Sequence, residues 1–356
     1  MLKIYSLIMA CTLALALAAC DAGSTPTPDS TPPIVTLPPV PTLGPPATTS
    51  MPKLSGRLWA DQALGNIWVI DVASGAVSRA DTGTNVYPTQ PWSDTEAKTL
   101  VWAGSEKNSE GIASNQFSLY ANGKTIMQAK DGLAYTDPAL SADGKVLYFT
   151  RIGLGDEPVM TRTIPLAVQM IALDASSAKP STIVTAAMLP APSADNQWLT
   201  YVRITNALSA TKSIRIRNLQ TGEDTLAVAP DRFFDVYGPH WMPDGKSIIF
   251  SAALQPQAQS NPTERNALLG VIDAVLPLQA ANAHSWSGDV WRVNVDGTGL
   301  TQLTHAQLQA PIAAPAPDGK HIAIISNDGI YVMDADGRNF DQVSQDGGNG
   351  GIVWTK

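Results

Sequence analysis

A short pattern of residues recurs along this chain of 356 residues. The stretch WMPDGKSIIFSA begins at Trp241, and related stretches begin near residues 90, 138, 190 and 314. Each copy is typical of a short strand, a tight turn and a second strand with alternating apolar residues. Asp-Gly at the turn, as in Asp244-Gly245, supplies the positive φ angles that a two-residue hairpin needs. The pattern therefore predicts a series of β-hairpins.

A second kind of hairpin follows most copies of the first. NIWVIDVASGAVSRA from Asn66 and GIYVMDADGRNFDQVS from Gly329 are examples. Six second hairpins accompany only five first hairpins, so one unit lacks two strands. GGIVWTK at residue 350 and LSGRLWAD at residue 54 supply one missing strand each. The sequence thus predicts an all-β fold, a six-bladed β-propeller over residues 54–356, with circular closure between its N- and C-terminal strands.

Two of these stretches resemble a known repeat. WMPDGK from Trp241 and IYVMDADG from Ile330 are similar to the TolB-type propeller repeat, and weaker copies cover the rest of residues 54–356. The resemblance implies the propeller fold but no single activity, because this repeat occurs in proteins with different roles. TolB proteins carry an α/β domain before the propeller. A Pro-rich segment occupies that place here, so the partner binding of TolB is not implied.

The first fifty residues have a different composition. An apolar run ends in Leu17-Ala18-Ala19-Cys20, which resembles the lipobox of bacterial lipoproteins, so we predict a signal peptide over residues 1–19 and lipidation of Cys20. An ordinary cleaved secretory signal is the alternative. Residues 20–53 are rich in Pro, Thr and Ser and predict a disordered tether. We therefore expect a lipid-anchored chain on the extracytoplasmic face of a bacterial cell membrane.

The sequence contains few signals of catalysis. The Gly-x-Ser-x-Gly motif of a hydrolase nucleophile is absent, and the only two cysteines, Cys11 and Cys20, precede the repeats. The four histidines lie in four separate contexts, and the aspartates of DADG at Asp334 match a hairpin turn rather than a calcium loop. The formal net charge of −8 does not favour a nucleic-acid partner. We predict no metal, no cofactor and no nucleic acid.

Polar side chains near the predicted central channel form one candidate site. His240 lies on a predicted innermost strand, Tyr237 precedes it, and Tyr135 and Asp137 precede the inner strand of the second blade. Such a cluster would bind a small ligand, and contact with water alone is the alternative. Three tryptophans are instead predicted to pack between blades: Trp92, Trp241 and Trp354.

A long insertion at about residues 254–288 forms a second candidate site. NPTERNALLGVIDAVLP within it predicts a helix with an N-cap at Asn261. One side of this helix is apolar and either packs on the propeller or contacts a partner; its residues are Leu268, Val271, Ile272 and Val275. Trp286 lies outside the repeat and is a further candidate for this partner surface. The other long connections, at residues 104–116, 152–167 and 204–212, are predicted on the same face of the propeller.

Two hypotheses about function follow from these features. The first is a non-catalytic, membrane-tethered binding or scaffold lipoprotein whose long-loop face contacts an envelope protein, peptide or glycan. The alternative is a propeller enzyme, a lyase or lactonase-like hydrolase, acting at the mouth of the central channel. We expect a monomer in either case.

Overall fold

The computed structural model describes residues 48–356 except 52, 63–64, 83–85, 95, 108–112, 131, 154–165, 175–177, 207–210, 255–286 and 349. Within these ranges the regular secondary structure is β-strand, and no helix there is long and apolar enough to cross a membrane. The predicted signal peptide, Cys20, the helical insertion and the five partner-surface residues of that insertion all lie outside the described residues.

The strands are short and regularly spaced along the chain. The first twelve are β1 (Arg57–Gln62), β2 (Asn66–Asp71), β3 (Val77–Arg79), β4 (Val86–Ser93), β5 (Leu100–Lys107), β6 (Ala113–Ala121), β7 (Lys124–Met127), β8 (Leu133–Leu140), β9 (Val146–Gly153), β10 (Leu166–Ala172), β11 (Ser181–Thr185) and β12 (Ala187–Pro192). The others are β13 (Trp198–Asn206), β14 (Thr211–Asn218), β15 (Asp224–Val228), β16 (Asp235–Trp241), β17 (Ser247–Ala253), β18 (Ser287–Asn294), β19 (Thr301–Gln302), β20 (Leu308–Gln309), β21 (Ile312–Pro315), β22 (His321–Ser326), β23 (Gly329–Asp334), β24 (Asp341–Ser344) and β25 (Gly351–Thr355).

These strands form six antiparallel sheets, which are the blades of a propeller. Blades 1 to 5 begin with β4, β8, β12, β16 and β21, and blade 6 has the order β25-β1-β2-β3. The first strand of each blade contacts the first strand of the next, and β25 contacts β4, so the innermost strands form a closed ring. The predicted six-bladed propeller is therefore confirmed.

Closure of the ring uses strands from distant parts of the sequence. β25 pairs with β1 in antiparallel register, with Trp354 opposite Leu58 and Gly351 opposite Asp61. The Trp59 indole Nε1 donates to the Thr355 hydroxyl at 3.1 Å. GGIVWTK and LSGRLWAD thus supply the inner two strands of blade 6, as predicted.

The hydrophobic core is distributed over the seams between blades. Six clusters of buried apolar side chains each join neighbouring blades, because both faces of every sheet are covered. Trp241 lies in the seam of blades 3 and 4 and donates from Nε1 to the Ala191 carbonyl at 3.0 Å. Trp354 lies in the seam of blades 5 and 6 and donates to the Ser55 carbonyl at 3.1 Å.

The turns of the first hairpins differ from the predicted two-residue type. In blade 2, Ser141 N–H donates to the Val146 carbonyl, so four residues form the loop. Gly144 has a φ of 70°, whereas Asp143 is not among the residues with positive φ. The Asp143 carboxylate instead accepts bonds from the Ser141 hydroxyl at 2.6 Å and from Lys145 N–H at 3.2 Å. The aspartate therefore fixes the turn by side-chain hydrogen bonds, and only the glycine supplies left-handed backbone.

Residues 48–51, which fall in the predicted tether, pair with the propeller. Thr48 forms a β-bridge with Ser344 of blade 5, and Met51 N–H donates to the Val72 carbonyl of blade 6 at 2.9 Å. Ordered pairing therefore begins several residues before the predicted boundary at residue 54.

Candidate functional site

The innermost strands of four blades carry the same irregularity. In β4, β8, β12 and β16 the pairing register shifts and leaves two residues unpaired. The first residue of each pair has a φ between 51° and 55° and the second is proline; the pairs are Gln90-Pro91, Asp137-Pro138, Leu189-Pro190 and Gly238-Pro239. Proline has no N–H to donate to a ladder, so it is tolerated at such a bulge. Each bulge also frees the first residue's N–H for another acceptor.

Side chains of the preceding blade accept these freed N–H groups in blades 1 to 3. Gln90 N–H bonds to the Asp61 carboxylate of blade 6. Asp137 N–H donates to Gln90 Oε1 at 2.9 Å, and Leu189 N–H donates to Asp137 Oδ2 at 3.3 Å. Leu189 has no polar side-chain atom to offer Gly238, so the series ends there. We name Asp61, Gln90, Asp137 and Leu189 the inner relay; it joins blades 6, 1, 2 and 3 around the channel.

Both carboxylates of the inner relay are engaged by neighbouring donors. Asp137 accepts from Gln90 Nε2 at 2.8 Å and from the Thr150 hydroxyl at 2.6 Å. Asp61 accepts from the Thr89 hydroxyl, and the Gly350 backbone passes so close to this carboxylate that a Cβ atom there would collide with it. The relay therefore uses its carboxylates to hold blades together, and residue 350 must be glycine for the chain to pass.

Burial shifts the titration of the groups around the channel. It raises the pKa of Asp61 to about 7, against bonds from Thr89 and Gln90 that lower it. Burial likewise raises the pKa of Asp137 and of Tyr237, and nearby carboxylates add to the rise at Tyr237. It lowers the pKa of His240 to about 4. At neutral pH the imidazole is uncharged, and Asp61 is present in both of its forms.

Trp92 and His240 stack on each other across the channel. Their ring centroids are 4.6 Å apart and their planes differ by 13°. Blades 1 and 4 are opposite members of the ring, so the stacked pair crosses its axis and closes the channel there. Trp92 also packs against three of the seam clusters. Among the described residues, none hydrogen-bonds to the His240 ring, whose only perturbation is burial.

This position of Trp92 corrects the prediction that it packs between blades as Trp241 and Trp354 do. Trp92 is the first paired residue after the bulge of β4, where it is opposite Val101. His240 holds the same position after the bulge of β16, where it is opposite Ile249. Trp92 therefore corresponds to His240, one residue before the position of Trp241. The one-residue difference turns its side chain toward the channel, where it stacks on His240 in addition to packing against the seam clusters.

A small cavity adjoins the stacked pair. It is lined by the four bulge pairs together with Trp92, Tyr237, His240, Ile312 and residues 350–352. Its volume is about 60 Å³, and one water molecule needs roughly 10–15 Å³ of such space. A pocket for a drug-sized ligand is larger, at about 300 Å³ or more. The cavity therefore has room for a few water molecules or one very small ligand.

Three of the four predicted channel residues border this cavity, and the fourth does not. Asp137, Tyr237 and His240 belong to its lining. Tyr135 instead packs in the seam of blades 1 and 2, edge to face with Phe149 at 5.7 Å. Tyr135 precedes the bulge at Asp137, and the bulge changes which side chains turn inward. Whether the three lining residues bind a ligand stays a prediction.

Sequence analysis did not identify Asp61, Gln90 or Thr150 as residues that surround the central channel. The signal that could have found Gln90 is the proline after it, because Pro recurs at the same place in four blades. Asp61 carries no such signal, since its role depends on pairing with β25. Within the described ranges, no three His, Cys, Asp or Glu side chains come together as a metal ion requires.

Comparison with known proteins gives a fold but no closer relationship. No family model matches the chain, and no curated protein does. Among solved structures, TolB from Acinetobacter baumannii has a TM-score of 0.56 at 14% identity, over 84% of this chain and 66% of that one. A putative TolB from Agrobacterium tumefaciens has a TM-score of 0.52 at 14% identity, over 85% and 98%.

A structure of a different kind is similar to about the same extent. A chain of the nidogen/laminin complex reaches a TM-score of 0.58 at 10% identity, over 85% of this chain and 99% of that one. Identities this low establish architecture alone. The chain therefore has a six-bladed β-propeller that resembles the propellers of TolB proteins in fold.

Proposed function

We propose that this chain is a non-catalytic binding protein that uses the long-loop face of its propeller and is lipid-anchored at Cys20 outside the cytoplasm. The observation that best supports the proposal is that the protein's own side chains fill the central channel. The Trp92–His240 stack crosses it, the cavity beside the stack is about 60 Å³, and the carboxylates of the inner relay bond to neighbouring blades. A channel that is filled by its own side chains leaves the outer loops as the surface available to a large partner.

The distribution of connections supports this choice of face. The longest intervals between strands separate the second and third strands of blades, as between Gly153 and Leu166 and between Ala253 and Ser287. All such connections leave from one face of the ring, whereas the four-residue hairpin turns leave from the other. Binding is concentrated in loops presented by a rigid scaffold. An envelope protein, peptide or glycan is the class of partner that fits an exported chain of this kind.

The proposed cellular location of the protein is inferred from its sequence. The apolar run that ends in Leu17-Ala18-Ala19-Cys20 supports export and acylation, and residues 20–47 supply a Pro-rich spacer. A membrane-anchored propeller on such a spacer would present its loops to envelope components at some distance from the bilayer.

A capture experiment tests the proposal. The lipidated protein is purified from solubilised envelopes, and copurifying components are identified by mass spectrometry. A variant with residues 255–286 replaced by a short Gly-Ser linker should lose the partner, whereas Lys246→Gln with Lys320→Gln, on the opposite turns, should keep it. Equal capture by both variants would remove the long-loop face from consideration. Capture of nothing by the wild-type protein would contradict the binding proposal itself.

An enzyme remains the second candidate function because of His240. Its imidazole borders the cavity, is uncharged at neutral pH and has no hydrogen-bond partner among the described residues, so a ring nitrogen is available to accept a proton. Asp137 contributes a carboxylate to the lining of the same cavity. A screen of lactones and uronate oligosaccharides tests this candidate. Turnover that His240→Gln abolishes without lowering the melting temperature would favour the enzyme.

A further inference from the structure

Three arginines lie on the side of blade 3 that faces blade 2. Tyr201 of β13 is buried in the cluster between these two blades. Arg215 lies opposite Tyr201 in the β13–β14 register, and so shares its face of the sheet. Arg217 and Arg203 each lie two residues further along their own strands, so side-chain alternation places them on the same face. The guanidinium groups of β13 and β14 therefore border the seam between blades 2 and 3.

These arginines outnumber the carboxylates that pair with them. Arg215 Nε bonds to Asp224 Oδ1 at 2.6 Å, and Arg217 Nη1 is 3.7 Å from Asp224 Oδ2. The Tyr201 hydroxyl donates to the same carboxylate. Arg203 forms no ion pair with the described residues. Arg215 and Arg217 share the Asp224 carboxylate, and Arg203 lies four register positions further along the strands than Arg217, opposite Ser213. This face of blade 3 therefore has three positive charges and one carboxylate paired with them, on a chain whose net charge is −8.

Two exposed apolar side chains adjoin the arginines. Leu226 of β15 is 42% exposed and lies opposite Arg215 in the β14–β15 register. Met170 of β10 is 37% exposed and lies two residues after Val168, which is buried in the same seam. In the described part of the chain, four large apolar side chains are exposed, and two of them flank this seam. We name Arg203, Arg215, Arg217, Leu226 and Met170 the seam patch.

We propose that the seam patch binds the surface of a membrane that contains anionic phospholipids. Arginine side chains bond to lipid phosphates, and Leu226 and Met170 enter the boundary between headgroups and acyl chains. This combination of basic and apolar side chains is the chemistry of peripheral membrane binding. The proposal rests on the proposed function, because only a protein placed outside the cytoplasm beside the bilayer meets that surface.

A lipid surface fits the seam patch better than an acidic peptide does. A bilayer presents lipid phosphates and an apolar phase at the same surface, so it can engage the arginines and also Leu226 and Met170, whereas an acidic peptide offers carboxylates alone. An acyl chain on Cys20 would hold the propeller near the membrane and raise the effective concentration of lipid at the patch. A weak contact would then suffice to orient the propeller.

Vesicle binding tests the proposal without the lipid anchor. The chain from residue 20 with Cys20→Ser is mixed with vesicles of phosphatidylcholine alone or with added phosphatidylglycerol, and bound protein is measured by flotation. We expect binding only with phosphatidylglycerol, and weaker binding at high salt. Each basic residue near an anionic surface contributes about fivefold in affinity. Arg203→Gln with Arg217→Gln should therefore weaken the partition coefficient by about 25-fold, and Leu226→Ser should weaken it further.

The matched control removes two charges elsewhere. Lys246→Gln with Lys320→Gln changes the net charge equally at exposed turns outside the seam, and should preserve vesicle binding. Equal loss in both double variants, or equal binding to both vesicle types, would overturn the proposal. Binding of poly-glutamate but not of anionic vesicles would assign the patch to acidic peptides and would also overturn it. Since Cys20 is absent, these outcomes are independent of whether the envelope capture experiment succeeds.

Discussion

The burial of Asp61 makes a measurable prediction about stability and pH. Its pKa is raised from 3.8 to about 7, chiefly by burial. Between these values the folded chain holds a proton that the unfolded chain releases. The stability that protonated Asp61 contributes is therefore complete below the unfolded pKa, and it is lost as the pH rises through about 7. One pKa unit corresponds to about 1.36 kcal/mol, so the loss is on the order of 4 kcal/mol.

The Asp61→Asn variant isolates the part of the pH-dependent stability that comes from the ionisation of Asp61. Asparagine keeps the shape of the protonated acid and does not titrate, so the free energy of unfolding of the variant should change less with pH. Urea unfolding at several values between about pH 4 and pH 8 measures both proteins. We expect the stability of the variant relative to wild type to rise between about pH 4 and pH 7 and to level off above that range. Asp137 also has a raised pKa, but it is present in both proteins.

Asp296→Asn provides the control with the opposite sign. Hydrogen bonds from Thr298 lower the pKa of this exposed carboxyl, so its stabilising effect is present at neutral pH and is lost on acidification. Its substitution should reduce stability at neutral pH and not in strong acid. If wild type and Asp61→Asn lost stability in parallel from pH 4 to pH 8, the account of a buried carboxyl in the ring would be refuted.

Four further outcomes are expected. Trp354→Ala removes a buried indole that is 4% exposed, and large aromatic truncations cost about 3–5 kcal/mol, so the melting temperature should fall sharply. Deleting residues 350–356 should give an aggregation-prone product because β1 loses its inner neighbour, while deleting residues 25–31 should change melting little; similar melting of both would contradict ring closure. Cys20→Ser should release the protein from the membrane fraction or leave its precursor uncleaved, and normal retention in fractionation would refute lipidation. Replacing residues 255–286 with a Gly-Ser linker should preserve the melting transition, and global unfolding would place that segment in the core.

The sequence predicts the ring of blades well because each repeat shows the alternation of apolar residues and the turn residues that define a β-hairpin. Closure by residues 350–356 followed from counting hairpins, and the pairing of Trp354 with Leu58 confirms it. The channel wall was harder to predict because it depends on bulges, which shift the alternation by one residue. Tyr135 was misplaced for this reason, and Trp92 was misplaced because it occupies the position of His240 and not that of Trp241. The inner relay joins residues of different blades, and one sequence contains no signal for such pairs.

The pairing of β25 with β1 also has a consequence for how the chain folds. Trp59 and Thr355, which bond across this pair, are 296 residues apart in sequence. In a chain synthesised from its N-terminus, β1 emerges before the other strands of the propeller, and its inner neighbour β25 emerges after all of them. Blade 6 therefore has one unpaired strand edge until β25 has been synthesised. Chaperones and proteases would have access to the edge of β1 throughout that interval, and a stall in translation before β25 would leave five finished blades and an open ring.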